Sequence, residues 1–459
     1  MDFSRIKSVY MIGVKGVGMT ALAQMLQSMG IRVTGSDVAE KFGTDAVLAK
    51  SGIEVHEGFS VAHVRAYCNT PLPGQGVIYS TAYRPETNPE LGWVMEQKIE
   101  ALSYPQAVAL LFNASPFGIS VCGSHGKTTT TAMLACILKD AGLDPKAIIG
   151  ANVPQLGGNA LVGGGDHFIL ESDEYQKKFL QYRPRAIVLN NIDWEHPDCF
   201  PTPADYQKVF EEFIGLLPKD GILVAGIDHP IVETIVSRAK CKLVTFGFSP
   251  KAQIRGEKVR VEKGHILFDV GSAEMSLRVP GRHNVHNALG AIALARALQV
   301  PFGTIQSSLA SYGGVERRLE VLGEKNGVLV IDDYAHNPQK IEASLDALRE
   351  FYPGRRIVAV FQPHTFSRTE ALLAGFGGAF LDADVTVVTD IYASAREAKG
   401  TITGASVVAE ISKIGKTAYF VPTLDEVEAW LEKSTQKGDV IVFMGAGDAG
   451  RVARKFLKK

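Results

Sequence analysis

Long apolar runs, paired cysteines, an excess of charge of either sign and low-complexity linkers are all missing from this 459-residue chain. No apolar stretch approaches the ~18 residues a membrane-spanning helix needs, which argues against an integral membrane protein. The five cysteines, Cys68, Cys122, Cys136, Cys199 and Cys241, are scattered, with no C-x-x-C pair. That pattern fits reduced thiols in a cytosolic protein and offers no metal knuckle. The formal net charge is −1, so no global basic excess points to nucleic acid. Any anionic ligand must be met by local lysines, arginines and helix ends. The first residues run straight into a strand-like segment, so no signal peptide is expected and the expected location is cytoplasmic. No internal repeat is visible. What remains, 46% hydrophobic and 21% charged, is the composition of a globular protein. Its length predicts about two to four domains.

The most informative segment present is Gly118 to Thr131, GISVCGSHGKTTTT. An apolar, β-prone run (Ile119, Val121, Cys122) leads into a turn, and a helical pattern follows with Met133, Leu134, Ile137 and Leu138 on one face. Strand, glycine-rich turn and helix form the context in which Gly-Lys-Thr binds phosphate. Small residues let backbone N–H groups approach the anion, and the helix N-terminus adds partial positive charge. Gly123, Ser124, His125, Gly126, Lys127, Thr128 and Thr129 are therefore expected to bind ATP. Lys127 would reach the β/γ-phosphates, and the Thr128 hydroxyl would ligate Mg²⁺. The Walker pattern is incomplete, because Val121 stands where its first glycine belongs.

Three α/β blocks surround this loop. The first has strands at Ser8–Ile12, Ile31–Thr34 and Gly76–Ser80 and closes near Tyr104-Pro105. The second carries the phosphate loop, then strands at His167–Leu170, Ala186–Asn190 and Ile222–Ala225, with a helical stretch at Asp205–Leu217. Residues Gln253–Val279 alternate as short antiparallel strands would. The third begins near Gly313, with strands at Val328–Ile331, Ile357–Phe361, Val385–Asp390, Ala418–Val421 and Val440–Met444. Strands alternating with helices predict parallel sheets covered on both faces, with ligands at the carboxyl ends of strands.

The notable polar motifs fall at those ends. The first turn, Gly13-Val-Lys-Gly16-Val-Gly18-Met19, departs from a dinucleotide fingerprint because Lys15 takes the second glycine's place. NAD, another nucleotide-linked ligand and a purely structural turn all remain open there. Asp37, ending the next strand, suits a ribose or uracil edge. Glu171 and His196 follow adjacent strands beside the phosphate loop, where one or two carboxylates suffice for Mg²⁺ and a histidine can serve a second ion. Asn284 and Asn287 open a helix; their amides suit an adenine edge, and a helix cap by Asn284 is the alternative. In the third block, Arg317-Arg318, Asp332-Asp333-Tyr334-Ala-His336-Asn337-Pro338, Phe361-Gln-Pro-His364-Thr365-Phe-Ser-Arg368-Thr and Asp390-Ile-Tyr392 with Arg396-Glu397 crowd the strand ends. Arginine planes in such a cleft suit carboxylate and phosphate recognition.

SHGKTTT, the glutamate after the next strand, the N-x-x-x-x-H-x-D loop ending at Asp198, GRHNVHNALGA and DDYAHNP together resemble the Mur ligases of peptidoglycan synthesis, from the Gly13 turn to Met444-Gly-Ala-Gly-Asp448. The resemblance implies a three-domain α/β fold. A Rossmann-like N-terminal domain (1–105) would hold a UDP-sugar, a central P-loop ATPase-type domain (106–313) ATP, and a Rossmann-like C-terminal domain (314–459) would close over ATP with the incoming amino acid. It implies amide formation through an acyl-phosphate, with ATP and Mg²⁺. By the same resemblance Gly16, Val17, Gly18, Met19, Asp37, Ser80 and Thr81 would bind the UDP-sugar. Arg318 and Asp333 would join the ATP site, and Tyr334, His336 and Arg368 would bind the amino acid. Thr128, Glu171 and His196 would hold metal, and Lys127, Glu171, His196 and His336 are the expected catalytic residues. FQPHTFSRT and DIYASARE look like the branch that adds L-alanine to UDP-N-acetylmuramate. Tyr182–Asn191 and Arg317–Val321 are similar to the recycling branch, which attaches a whole tripeptide. The strand-end loop should lie nearer the amino-acid site, so L-alanine is the expected acceptor. Glu195, Asn337 and Thr365 depart from the family pattern, standing where Asp, His and, in some members, Arg are usual. A monomer or homodimer is expected.

Overall fold

The computed structural model describes residues 2–69, 74–197, 199–237, 239–393 and 400–458. It is α/β throughout, built on three sheets. The first contains β1 (Ser8–Ile12), β2 (Arg32–Asp37), β3 (Glu54–Glu57), β4 (Gln75–Tyr79) and β5 (Ala101–Ser103), all parallel, in the order β3-β2-β1-β4-β5. The chain winds outward in both directions from β1 and β4, and the crevice beyond the ends of those two strands is the switch point. Strand β2 runs three residues past the sequence expectation. Gly35 permits it: a side chain there would strike the Met11 carbonyl of β1.

The second sheet takes β6 (Phe117–Cys122), β7 (Lys146–Val153), β8 (Gly158–Val162), β9 (His167–Glu171), β10 (Ala186–Leu189), β11 (Ile222–Gly226) and β12 (Lys242–Gly247). Their order is β12-β11-β10-β6-β9-β7-β8, with β8 antiparallel to β7. The phosphate-loop strand β6 is thus flanked by β9 and β10, whose ends carry Glu171 and Asn190-Asn191. The chain continues through β13 (Ile254–Glu262), β14 (His265–Val270) and β15 (Ala273–Leu277). One face of the first sheet joins the second sheet in a core reaching from Ile6 to Val236, while Tyr10, Ile12 and Val77 on its other face pack into a separate cluster with Val64, Leu91 and Val94.

The third sheet consists of β16 (Glu320–Lys325), β17 (Val328–Asp333), β18 (Ile357–Phe361), β19 (Val385–Val388), β20 (Ala418–Phe420) and β21 (Val440–Met444). The order is β16-β17-β21-β18-β19-β20, antiparallel only between β16 and β17. Alternate residues enter two cores: Leu329, Ile331, Ala359, Val442 and Met444 face one, and Val328, Val330, Val358, Ile441 and Phe443 the other. A period of two with both faces apolar is what helices on both sides demand. The chain divides into two compact units. One comprises Met1–Glu257, Val270–Ala273 and His286–Leu309; the other comprises Lys258–Asp269, Glu274–Val285 and Ala310–Lys459.

Ile441 is fully buried in β21, between β17 and β18. Ile441→Ala is expected to lower unfolding free energy by ~2–5 kcal/mol. Urea denaturation checks this; a loss below ~0.5 kcal/mol, typical of surface changes, would contradict the packing described.

Candidate active site

Strand β6 ends at Cys122, and two glycines in the left-handed region, Gly123 (φ 129°) and Gly126 (φ 78°), turn the chain into the helix Lys127–Asp140. A side chain at Gly126 would run into the carboxamides of Asn287 and Asn190. The helix starts with no side-chain cap, so the N–H groups of Lys127, Thr128 and Thr129 face the turn with the helix's partial positive charge. His125 N–H donates to Asn191 Oδ1 at 2.8 Å, and Asn190 Nδ2 donates to the His125 carbonyl at 3.2 Å. Asn190 Oδ1 is buried without a partner among the described residues. A glycine-lined turn at a helix N-terminus with two asparagines over it fits a nucleotide polyphosphate.

Lys127 points back across the turn. Its Nζ donates to the Gly123 carbonyl at 2.5 Å and to Glu174 Oε2 at 3.0 Å. Burial opposes its charge, but the carboxylates of Glu174, Asp173 and Glu171 together outweigh that and raise the ammonium pKa. Thr128 Oγ1 donates to Glu171 Oε1 at 2.7 Å, while Glu171 Oε2 accepts from Gly150 N–H at 2.6 Å. His196 joins a different pair: donor atoms of Glu174, Glu195 and His196 all lie within 4.8 Å of one another. The expected metal set is therefore distributed as Thr128 with Glu171, and His196 with Glu174 and Glu195. Two carboxylates and an imidazole, with a second carboxylate–hydroxyl pair on the helix start, form a donor set that suits Mg²⁺ or Mn²⁺. His196 has φ 59°, as do Gln176 (56°) and Lys177 (57°) nearby in the fold, so strained backbone frames the cluster.

Glu174 is the residue the sequence reading did not single out. It is fully buried and accepts from both Lys127 and the Tyr206 hydroxyl, the latter at 2.9 Å. Its only signal was its place three residues after Glu171 in L-E-S-D-E-Y.

At the first sheet's switch point the expected residues divide into scaffold and surface. Asp37 is buried: Oδ2 accepts from Lys15 N–H at 2.7 Å, and Oδ1 accepts from Val38 N–H at 2.8 Å and the Tyr83 hydroxyl at 3.1 Å. Lys15, also buried, donates to the carbonyls of Val38 and Glu40 and pairs with Asp45 at 3.2 Å. Both charges thus hold the loops around the crevice. The helix Val17–Ser28, with Gly16 at its N-cap and no side-chain cap, presents its first amides there, from Val17, Gly18 and Met19. Gly18 packs against the Tyr104 hydroxyl, whose titration burial and the charges of Glu171 and Asp173 push upward. The Gly16–Met19 turn and Glu171 consequently share one neighbourhood. Ser80 sits at the end of β4, its N–H donating to the Ile12 carbonyl at 2.9 Å, and Thr81 is exposed beside it.

In the third sheet Asp333 is buried and accepts from Leu319 N–H (2.7 Å), Ala335 N–H (2.8 Å) and Ser344 Oγ (3.2 Å), fixing the loops on either side. The guanidiniums of Arg317 and Arg318 lie 5.0 and 5.2 Å from the Tyr334 ring centre. His336 Nδ1 is 2.9 Å from the Tyr334 carbonyl; because a carbonyl only accepts, the proton is on Nδ1 and Nε2 keeps its lone pair. Burial, reinforced by the charges of Lys340, Arg368 and Arg318, pushes its pKa down to about 4. Arg368 is exposed and donates to His364 Nδ1 at 3.4 Å, and the His364 ring stacks on Tyr392 at 5.6 Å. Gln362 ties β18 to the Gly-rich loop after β21, donating to Asp448 Oδ1 (2.9 Å) and accepting from Asp448 N–H (2.8 Å). Thr365 starts the helix Phe366–Ala371 with φ 66°. Asn337 caps the helix Pro338–Phe351, its Oδ1 accepting from Lys340 N–H at 2.9 Å. Asn284 is buried and donates to the Pro280 carbonyl at 2.6 Å. Asp198, Arg396 and Glu397 lie outside the described residues.

Three family models match in series: "Mur ligase family, catalytic domain" over residues 8–115, "Mur ligase middle domain" over 121–295 and "Mur ligase, glutamate ligase domain" over 317–447. Among curated relatives, a UDP-N-acetylmuramate–L-alanine ligase from Desulfitobacterium hafniense is 38% identical, the match covering 98% of this chain and 99% of that one. A ligase of the same name from Salinibacter ruber is 36% identical over 99% of this chain and 95% of its own length. Among solved structures, the UDP-N-acetylmuramate-alanine ligase MurC of Thermotoga maritima superposes with a TM-score of 0.83 at 27% identity, 98% of each chain being covered. A murein peptide ligase from Psychrobacter arcticus shares the fold, with a TM-score of 0.71 at 24% identity and 98% coverage of each chain. Three consecutive family models and near-full-length relatives above 35% identity leave one assignment: the chain belongs to the Mur ligase family.

Proposed function

We propose that this protein joins L-alanine to UDP-N-acetylmuramate at the expense of ATP and Mg²⁺, in the cytoplasm, as a monomer or homodimer. The observation that carries the reading is the uncapped helix start at Gly126-Lys127-Thr128 with Glu171 and the Glu174–Glu195–His196 cluster beside it. Near-full-length similarity to relatives named for L-alanine ligation supports the acceptor. ATP supplies the γ-phosphoryl group: a carboxylate oxygen of the sugar bonds to phosphorus as ADP leaves, and alanine nitrogen then bonds to the acyl carbon as phosphate leaves, losing a proton.

The chain's own residues neutralise and align the reactants. Carboxylate and triphosphate repel, and Lys127 with the amides of 127–129 offsets that charge where it develops. Thr128 with Glu171 would hold one cation, and Glu174 and His196 with Glu195 a second. Asn287 and Asn190 would face the nucleotide, and Asn284 would act through the turn it locks. Arg318, with Asp333 holding its loop, would complete the ATP residues. Gly16 to Met19 would meet the sugar diphosphate, with Ser80 and Thr81 beside it and Asp37 shaping the crevice. We assign residues 1–105, 106–313 and 314–459 to sugar nucleotide, ATP and amino acid respectively. Tyr334, His336 and Arg368 would bind alanine, Arg368 at the carboxylate. With its pKa near 4, His336 is a weak base at neutral pH, so its Nε2 lone pair serves to accept a hydrogen bond from the amine.

Lys127→Ala is expected to abolish turnover while leaving UDP-sugar binding intact, measured by phosphate release and calorimetry. The same phosphate assay, run with UDP-N-acetylmuramate and ATP against amino acids and the tripeptide, tests the acceptor. A tripeptide that outperforms L-alanine would replace this reading with the recycling one. Arg368→Ala should raise the KM for alanine roughly ten- to a hundredfold, the worth of one hydrogen bond to a charged group, with the KM for ATP unchanged. An unchanged alanine KM would remove Arg368 from the site.

Acidification gives a separate check on His336. Its folded pKa of about 4 lies below the ordinary 6.5, so between these values the unfolded chain holds the extra proton. The neutral ring's contribution is full above pH 6.5 and is lost as pH falls toward 4, by at most ~3 kcal/mol. His336→Gln should flatten the stability profile in that window, and the His336 imidazole should stay neutral at pH 5 by NMR. A resonance titrating near 6.5 would refute the assignment.

A further inference from the structure

The helix Pro203–Ile214 contributes one fully buried polar side chain beside the phosphate loop, Tyr206. Its ring packs edge-on against Phe200 and Phe210, each 5.2 Å away. Its hydroxyl emerges from that apolar cluster between two walls of the site. On one side it donates to Glu174 Oε1 at 2.9 Å; on the other it lies 2.9 Å from Ser124 Oγ in the phosphate loop. A carboxylate can only accept, so the phenol's proton is committed to Glu174 and its oxygen faces Ser124. Glu174 in turn holds Lys127 through Oε2, with His196 Nε2 3.9 Å from Oε1. Ser124 Oγ donates to the Asp193 carbonyl at 2.6 Å and accepts from Asp193 N–H at 2.8 Å, and the Asp193 carboxylate lies 3.5 Å from His125 and 3.0 Å from His229.

We propose that Tyr206 is a positioning residue of the nucleotide–metal site, acting through its hydrogen bond to Glu174, with its oxygen against Ser124, to set the carboxylate of the metal cluster at a fixed distance and angle from the phosphate loop. The inference rests on the reading of that site as one for Mg²⁺ and ATP. Glu174 is buried and has two side-chain donors; with the phenolic one removed, Oε1 loses its hydrogen bond and the carboxylate turns toward Lys127 or His196. Groups that orient a metal ligand are typically worth about 10–100-fold in metal affinity.

The test uses the full-length protein and Mn²⁺ as the probe, with binding read by electron paramagnetic resonance in the presence of a non-hydrolysable ATP analogue. Tyr206→Phe keeps the ring and removes only the hydroxyl. It is expected to weaken Mn²⁺ binding at least about tenfold and to raise the Mg²⁺ concentration needed for turnover, while the KM for L-alanine and UDP-sugar binding stay unchanged. Phe210→Leu disturbs the same aromatic cluster without touching the hydroxyl; it should lower stability and leave Mn²⁺ binding as it was. Unaltered Mn²⁺ binding in Tyr206→Phe, or an equal loss in Phe210→Leu, would overturn the proposal. Failure of the unaltered protein to bind Mn²⁺ with the analogue would overturn the site reading itself, and the inference with it.

Discussion

The buried ion pair between Lys127 and Glu174 is the constraint around which the nucleotide site is arranged. Neither charge could be buried alone, since desolvation would outweigh anything else the site gains. Together they are held at 3.0 Å, and the remaining valences are used: Lys127 reaches the Gly123 carbonyl, and Glu174 takes the Tyr206 hydroxyl. The pair spans two parallel strands, joining the turn after β6 to the segment after β9. It thereby fixes the positive group of the phosphate loop relative to the carboxylates that follow the next strand. His196 approaches the same glutamate from the segment after β10, so the three neighbouring strand ends converge on one carboxylate.

The same economy recurs in the third sheet around Asp333. Asp333 saturates its oxygens with donors from Leu319, Ala335 and Ser344, and Gln362 bonds both ways with Asp448 and its backbone. These buried groups hold the loops, while half-buried Tyr334 and His336 and exposed Arg368 are left to meet a ligand. Asp37 and Lys15 follow the rule in the first sheet, consumed by backbone partners around the switch point. Buried, fully partnered polar residues build the strand-end crevices, and the chemistry is presented by neighbours and by free helix amides.

Much of this was legible in the chain. Strand β1, the phosphate loop with its helix, and the alternation of strands and helices follow from period-2 and period-3.6 patterns that need no long-range partner. Strands β3, β5, β7, β8, β12 and β16 escaped that reading; short or polar segments such as Glu54–Glu57 take their form from neighbours in the sheet. Thr128 and Glu171 were placed together by the rule that adjacent strand ends meet, and they do touch. Glu174 and Tyr206 were not singled out, since an acidic residue in a polar run and a tyrosine on an amphipathic helix look like solvated face and core.

By itself the sequence determined the α/β class, the phosphate-binding turn and the membership in a ligase family, because local glycine geometry and apolar periodicity are written residue by residue. Only the tertiary structure decided which charges are spent on scaffolding and which remain for ligands. Asp37 and Asp333 read from sequence as ligand-facing acids, yet their oxygens are filled by donors 2 to 46 residues away. A carboxylate's availability depends on what folds against it, and that is a property of packing between segments that no single segment encodes.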